Sequence, residues 1–367
     1  MQNSYINSAV QITTVIVEPV GAGCNLACTY CYHSNIRTSK MRIMSRKVLE
    51  RLIQEAMILN PKKIKFLWHG GEPLLAGLDF YRTAIELQKR WRVSEQQEIV
   101  NTIQTNATLI NDEWTQFFKE HNFQISTSID GPAWLHDICR KNQVGRGSYK
   151  ETIRGIEILK KHGLKVGVVV TINRYNVHYP EIVYYSLLEL GLTSFDLNIA
   201  TDVPGMPSLA PHPQEAAAFL TRVFDIWFEM DDPSIYIRIF HNVIKALLGL
   251  PLGECSFSFN RCREYIACDE EGNLYTCGRF LKEPVVYIGS CVSDHILDLL
   301  STPRVIALYD KVASIKEECK SCYWFKACGG GCAYQRWLNG GFGSHFPQCE
   351  IRKALFEHVK RRIEPYI

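Results

Sequence analysis

Between residues 13 and 199 a short strand-like run is followed by a helix-period stretch again and again, and few folds accept that order. The runs are Thr13–Val17, Ile64–Trp68, Ile99–Gln104, Gln124–Ser128, Val166–Thr171 and Phe195–Ile199. Ser45 caps a predicted helix whose apolar residues Val48, Leu49, Leu52, Ile53, Ala56 and Met57 recur at helical spacing. Further helices are predicted over Asp79–Trp91, Asn111–His121, Ser148–Lys161 and Pro180–Leu190. Such units imply a parallel sheet with right-handed crossovers. Six are too few for a closed eight-stranded barrel, so the predicted fold class is α/β, a partial (β/α)6 barrel with its functional loops at the carboxyl ends of the strands.

The unusual residues follow those strands. Cys24, Cys28 and Cys31 come after the first, His69-Gly70-Gly71-Glu72-Pro73 after the second, Gln104-Thr105-Asn106 after the third and Ser128-Ile129-Asp130 around the end of the fourth. Three thiolates so close together can hold three irons of a [4Fe–4S] cube and leave the fourth without a protein ligand. An open metal position is a reaction site.

The chain has 14 cysteines, and ten of them fall between Cys255 and Cys349. That asymmetry divides it into an expected barrel over 1–202, a bridge over 203–250 and a cysteine-rich domain with a C-terminal helix over 251–367. Residues 203–213 hold four prolines and read as a loop, with helices expected at Glu215–Met230 and His241–Leu248. The last segment, with glycine clusters at 329–331 and 340–343, is expected to have little apolar core and to need metal to fold.

A formal net charge of +3 gives no reason to expect nucleic acid or a polybasic membrane anchor as partner. No apolar run approaches a membrane span, and MQNSYINSAVQ lacks the form of a secretion signal. A cytoplasmic location is expected, where clustered thiols stay reduced and favour metal over disulfides.

The motif GCNLACTYCYH, with Tyr32 after the last thiol, resembles the signature of the radical S-adenosylmethionine (SAM) enzymes. That resemblance implies that Cys24, Cys28 and Cys31 hold a cluster whose open iron chelates SAM. It implies further SAM contacts at Gly70, Gly71 and Glu72, and at Ser128 and Arg140, the last two facing the SAM carboxylate. Tyr30, Tyr32, His69 and Thr201 align with other SAM-contacting positions, while Asp130 either binds a ribose hydroxyl or starts a turn.

Downstream, Cys319-x2-Cys322-x5-Cys328-x3-Cys332 with Cys349, together with Cys255, Cys262 and Gly272-x4-Cys277, matches the SPASM domain of peptide-modifying radical SAM enzymes. The match implies two auxiliary [4Fe–4S] clusters, one on Cys255, Cys262, Cys277 and Cys332 and the other on Cys319, Cys322, Cys328 and Cys349. Two four-cysteine zinc sites would use the same ligands; the triplet upstream favours iron–sulfur. Cys139, Cys268 and Cys291 are read as ordinary buried side chains.

The likeness runs from about residue 13 to 355, and HGGEPLLAGLDFY, LINDEWTQFF and SIDGPAWLHD read like the anaerobic sulfatase-maturating enzymes, which oxidise a cysteine or serine to formylglycine. Two positions depart from that group. Ala107 stands where a glycine is usual, and Gly278 follows Cys277 where an aspartate serves as general base. Because glycine cannot take a proton, the sequence favours a related activity on a ribosomally made precursor peptide, an oxidative C–C cross-link of cyclophane type. Sulfatase maturation is the alternative. The resemblance also implies an electron donor such as flavodoxin or ferredoxin. With the first strand beginning near residue 13, substrate is expected at the barrel mouth, the bridge and the C-terminal domain.

Overall fold

The computed structural model describes residues 10–36 and 41–366; residues 1–9, most of the stretch read above for a secretion signal, lie outside it. Strands β1 (Thr14–Val17), β2 (Lys63–Trp68), β3 (Glu98–Gln104), β4 (Gln124–Ser128), β5 (Val166–Ile172) and β6 (Ser194–Ile199) lie side by side in chain order, every pair parallel. All six predicted strands are present, within a residue at each end. β5 shows why they form: its even-numbered residues Val166, Val168, Val170 and Ile172 are buried while those between are half-exposed, the period-two pattern of a strand.

The intervening helices are started by side chains that satisfy their first amide groups. Ser45 accepts from the Val48 amide at the start of Arg46–Leu59, and Asn111 from the Trp114 amide at the start of Asp112–Glu120. Their inner faces meet a core rich in aromatic rings, among them Phe66, Trp68, Tyr81 and Phe118, each fully buried. Burial of each such side chain stabilises by about 1.5–3 kcal/mol. The indole of Trp68 donates to Asn101 Oδ1 at 2.9 Å, and Gln88 exchanges hydrogen bonds with the same amide, so the polar groups there are paired.

The sheet is wider than the sequence suggested. β7 (Tyr236–Ile237) extends it beyond β6, and β8 (Tyr265–Cys268) adds to the opposite edge, parallel to β1, with Thr14 opposite Tyr265 and Val17 opposite Cys268. Antiparallel β9 (Asn273–Tyr275) and β10 (Tyr287–Ser290) complete a sheet of order β10-β9-β8-β1-β2-β3-β4-β5-β6-β7. β8 escaped notice because four residues between charged turns carry no periodicity.

The expectation of a C-terminal segment with little apolar core is corrected. Ala267, Tyr275, Phe280, Leu281, Val286, Val312, Ala333, Tyr334 and Phe342 form a second buried cluster together with Ile16 of β1. Val15 and Val17 face the main core, so β1 is a wall common to both. Of the predicted loop 203–213, residues 203–212 are non-helical, while Pro213 is the first residue of helix Pro213–Met230, where its missing amide costs no hydrogen bond. Helices Arg238–Leu247 and Cys349–Ile363 pack beyond it. Among the described residues no helix is long and apolar enough to cross a membrane.

Candidate active site

The loop that leaves β1 carries Cys24, Cys28 and Cys31, and two other strand-end segments hold it in place. From the β2 side, the amides of Gly71 and Glu72 donate to the carbonyls of Gly21 and Gly23, both at 2.7 Å. From the β4 side, the amides of Ala27 and Thr29 donate to the carbonyls of Lys141 and Cys139 at 2.7 and 3.0 Å. The reason for glycine at 71 is therefore the cysteine loop itself: a Cβ there would lie 1.8 Å from the Gly23 carbonyl oxygen. Gly70, at φ +100°, holds a conformation that side chains resist. Burial pushes the Cys24 thiol up to about 12, although the Leu26 amide donates to its sulfur at 3.3 Å. Such a thiol gives up its proton when a metal takes it.

Glu72 is an internal clamp. Its carboxylate accepts from the Leu74 amide (3.1 Å), the Thr105 hydroxyl (2.7 Å) and the Asn106 amide (2.7 Å), which occupies it with the chain rather than with the mouth. Burial raises its pKa to about 7 against the pull of these donors. Ala107 adopts φ +62°, the left-handed region where a glycine is at ease and an alanine costs about 1–2 kcal/mol.

Arg140 is not a solvated surface residue. It caps helix Ala133–Cys139, is buried, and donates from Nη1 to the Tyr30 hydroxyl at 2.8 Å; that hydroxyl in turn donates to Asp130 Oδ2. Asp130 also accepts from the Thr171 amide at 2.9 Å, so it ties the ends of β4 and β5 together instead of merely beginning a turn. The Nε of Arg140 has no hydrogen-bond partner, an orphaned buried donor near Cys28 that fits an anionic ligand. Ser128 accepts from Gln104 at 3.2 Å on the neighbouring strand. Thr201 faces the C-terminal segment, accepting from Gln335 at 2.6 Å. The Tyr32 ring lies tilted at 39° against His33, and the Arg279 guanidinium is 5.9 Å from its centroid.

The C-terminal thiols influence one another in two sets. Cys255 and Cys262 are each raised by burial and then by neighbours that include Cys277 and Cys332, while Cys319 and Cys349 both respond to Cys328. Four thiolates in each set are a donor set that suits an iron–sulfur cube with no open iron. Cys139, Cys268 and Cys291 are buried in the core as expected, with the last two sulfurs 4.0 Å apart.

Sequence reading missed Glu18 and His33. Both are buried at the mouth, and with His69 each contributes one ligand-type atom, the three atoms within 4.8 Å of one another. The available signal was an acid placed directly at the end of β1, one step before the loop.

Comparison with known proteins gives this geometry its context. The model of the radical SAM superfamily matches residues 19–183. A serine-type anaerobic sulfatase-maturating enzyme of Bacteroides thetaiotaomicron is 31% identical over 94% of this chain and 89% of its own length. A cysteine-type counterpart from Clostridium perfringens is 28% identical over 95% and 97%. Among solved structures, native anSMEcpe with bound AdoMet superimposes with a TM-score of 0.87 at 26% identity, covering 96% of this chain and 98% of its own. SuiB of Streptococcus suis bound to S-adenosylmethionine gives a TM-score of 0.67 at 16% identity over 92% and 77%, a likeness of fold alone.

These findings overturn the preference for cross-linking a precursor peptide. The Bacteroides and Clostridium relatives, alike over nearly the whole length, are sulfatase maturases, whereas the peptide-bound SuiB is distant. The inference from Gly278 failed because it weighed one position, and a proton can be taken from another direction in space.

Proposed function

This chain belongs to the radical SAM enzymes, in the group of the anaerobic sulfatase-maturating enzymes, and from that premise we propose that it oxidises a cysteine or serine side chain of a sulfatase to formylglycine. The observation that carries this reading is the near full-length likeness to both serine-type and cysteine-type maturases. When bound, SAM and its [4Fe–4S] cluster supply the radical that removes a hydrogen atom from the substrate.

The chain's own residues have simpler tasks. We assign Cys24, Cys28 and Cys31 to the SAM-binding cluster, Cys255, Cys262, Cys277 and Cys332 to one auxiliary cluster, and Cys319, Cys322, Cys328 and Cys349 to the other. Arg140 would pair with the SAM carboxylate, a role supported by its orphaned Nε, with Tyr30 and Asp130 fixing the guanidinium and Ser128 alongside. Gly70 and Gly71 would offer backbone to the SAM amino group; Tyr32, His69 and Thr201 would line the remainder. Glu72 would act through position, keeping the Gly70-Gly71 turn against the cysteine loop. A barrel over 1–202, a bridge over 203–250 and a cysteine-rich domain over 251–367 as the parts of the molecule, a flavodoxin or ferredoxin as donor, and a reducing, cytoplasmic setting complete the reading. The last is supported by the clustering of the thiols, which a reducing compartment keeps available for metal.

The test is anaerobic reconstitution with a sulfatase-motif peptide bearing cysteine or serine. Formylglycine captured as a hydrazone is expected. SAM cleavage with the peptide left unoxidised would overturn the proposal.

A further inference from the structure

Oxidising a carbon that bears a thiol or hydroxyl to an aldehyde releases a proton, and the site must hold a group to take it. Glu18 is fully buried and, among the described residues, the only carboxylate with both buried oxygens lacking a hydrogen-bond partner. It stands where β1 gives way to the cysteine loop. His33 Nε2 lies 3.8 Å from its Oε2. His69 accepts the Gly70 amide on Nδ1 at 2.7 Å, and burial depresses its pKa to about 4. The ring is thus neutral with its proton on Nε2, which makes it a donor toward its surroundings and a poor metal ligand there.

The second observation comes from the other side of the mouth. A Cβ built on Gly278, the residue after Cys277, would lie 2.6 Å from Glu18 Oε1. The carboxyl of Glu18 occupies the space into which any side chain at 278 would grow. The missing side chain and the orphaned carboxylate are one arrangement.

We propose that Glu18, reaching across from the end of β1, is the proton acceptor in the oxidation of the substrate side chain. This rests on the maturase reading above. The balance is as follows for a substrate –CH2–XH, with X oxygen or sulfur. One hydrogen atom leaves the carbon for the radical derived from SAM, the X–H proton passes to Glu18, and the remaining electron passes to an auxiliary iron–sulfur cluster as the C=X bond forms. For X = S, water then replaces sulfur and hydrogen sulfide leaves. Burial raises the proton affinity of Glu18, Glu270 and Asp269 raise it further, and Lys282 opposes them. The other titratable groups facing Glu18 are His33 and His69 of the cluster, with Tyr32, Cys268 and Cys277.

The test uses reconstituted holoenzyme, SAM and the cysteine or serine sulfatase peptide. In Glu18→Gln the ratio of deoxyadenosine to aldehyde is expected to rise about 100-fold, the scale of a lost general base. The acid limb of the pH profile for aldehyde formation should vanish. In Glu18→Ala/Gly278→Asp the shortened side chain vacates the space beside residue 278, a carboxylate enters from the opposite wall, and aldehyde formation should recover relative to Glu18→Ala alone; a merely structural Glu18 would not be rescued this way. Difference infrared spectra between acid and alkaline holoenzyme should carry a carboxyl band that Glu18→Gln removes. If Glu18→Gln does not fold, Gly278→Ala decides, since its methyl group displaces an intact carboxylate and should raise the same ratio. Coupled aldehyde formation with an unaltered pH profile in the folded variant overturns the role of Glu18. A wild-type enzyme that cleaves SAM yet forms no aldehyde overturns the maturase reading, and this inference with it.

Discussion

Arg140 donates to the hydroxyl of Tyr30 at 2.8 Å, joining the segment after β4 to the cysteine loop after β1. The same hydroxyl donates to Asp130, so one phenol orients a cation and an anion at once. Tyr30→Phe keeps the ring and removes both bonds. Hydrogen bonds to charged groups contribute about 1.5–3 kcal/mol, so SAM affinity should fall at least about tenfold with the fold retained. Equilibrium SAM binding checks this, and unchanged affinity would separate the triad from the SAM site.

Three cubes require about twelve irons per chain, and zinc should be negligible. Cys28→Ala should lower iron to about eight and abolish SAM cleavage, because only the N-terminal cluster loses a ligand. Elemental analysis of anaerobic protein decides. Iron near four in the wild type would refute the two auxiliary clusters.

Gly71→Ala drives a methyl group into the Gly23 carbonyl, a backbone atom that cannot rotate away. Overpacking of this kind costs about 1–3 kcal/mol, and here it displaces the cysteine loop. Both the unfolding midpoint and the N-terminal cluster's iron should drop. Full iron loading in this variant would mean the loop is held by other contacts.

Glu72 gives stability a pH dependence of unusual sign for a carboxylate. Its pKa is raised from 4.5 to about 7 by burial, so between those values the folded chain keeps a proton that the unfolded chain has released. Stability therefore falls as pH rises across that window, by on the order of 3 kcal/mol at most. Glu18, raised for the same reason, pushes in the same direction. Glu72→Gln should flatten the curve measured by denaturant unfolding of the anaerobic holoprotein. A slope as steep as wild type would contradict the assignment.

The barrel was legible because its signals are local: alternating valines in β5, a serine cap at 45, cysteines three and four residues apart. The division of the C-terminal thiols into two sets came from the family resemblance and not from a local signal of this kind. What stayed hidden depends on residues far apart in the chain. Glu18 and Gly278 are separated by most of the sequence, and only the folded backbone puts one in the space of the other. β8 was too short to have a period, and the second core was invisible because one of its members, Ile16, belongs to β1. Glycine at 71 was read as room for a ligand; the sequence did not show that the backbone of the cysteine loop also demands a residue without a Cβ there.

The parallel pairing of Thr14 with Tyr265 has a consequence for assembly in the cell. On the ribosome, β1 can find β2 early, yet its other flank stays bare until residue 265 and its neighbours have been synthesised. The anchoring strand of the first cysteine loop is therefore finished late, and iron delivered to a nascent chain would meet a half-built cradle. Cluster donors should act on the released polypeptide, with the tail closing the frame around the head.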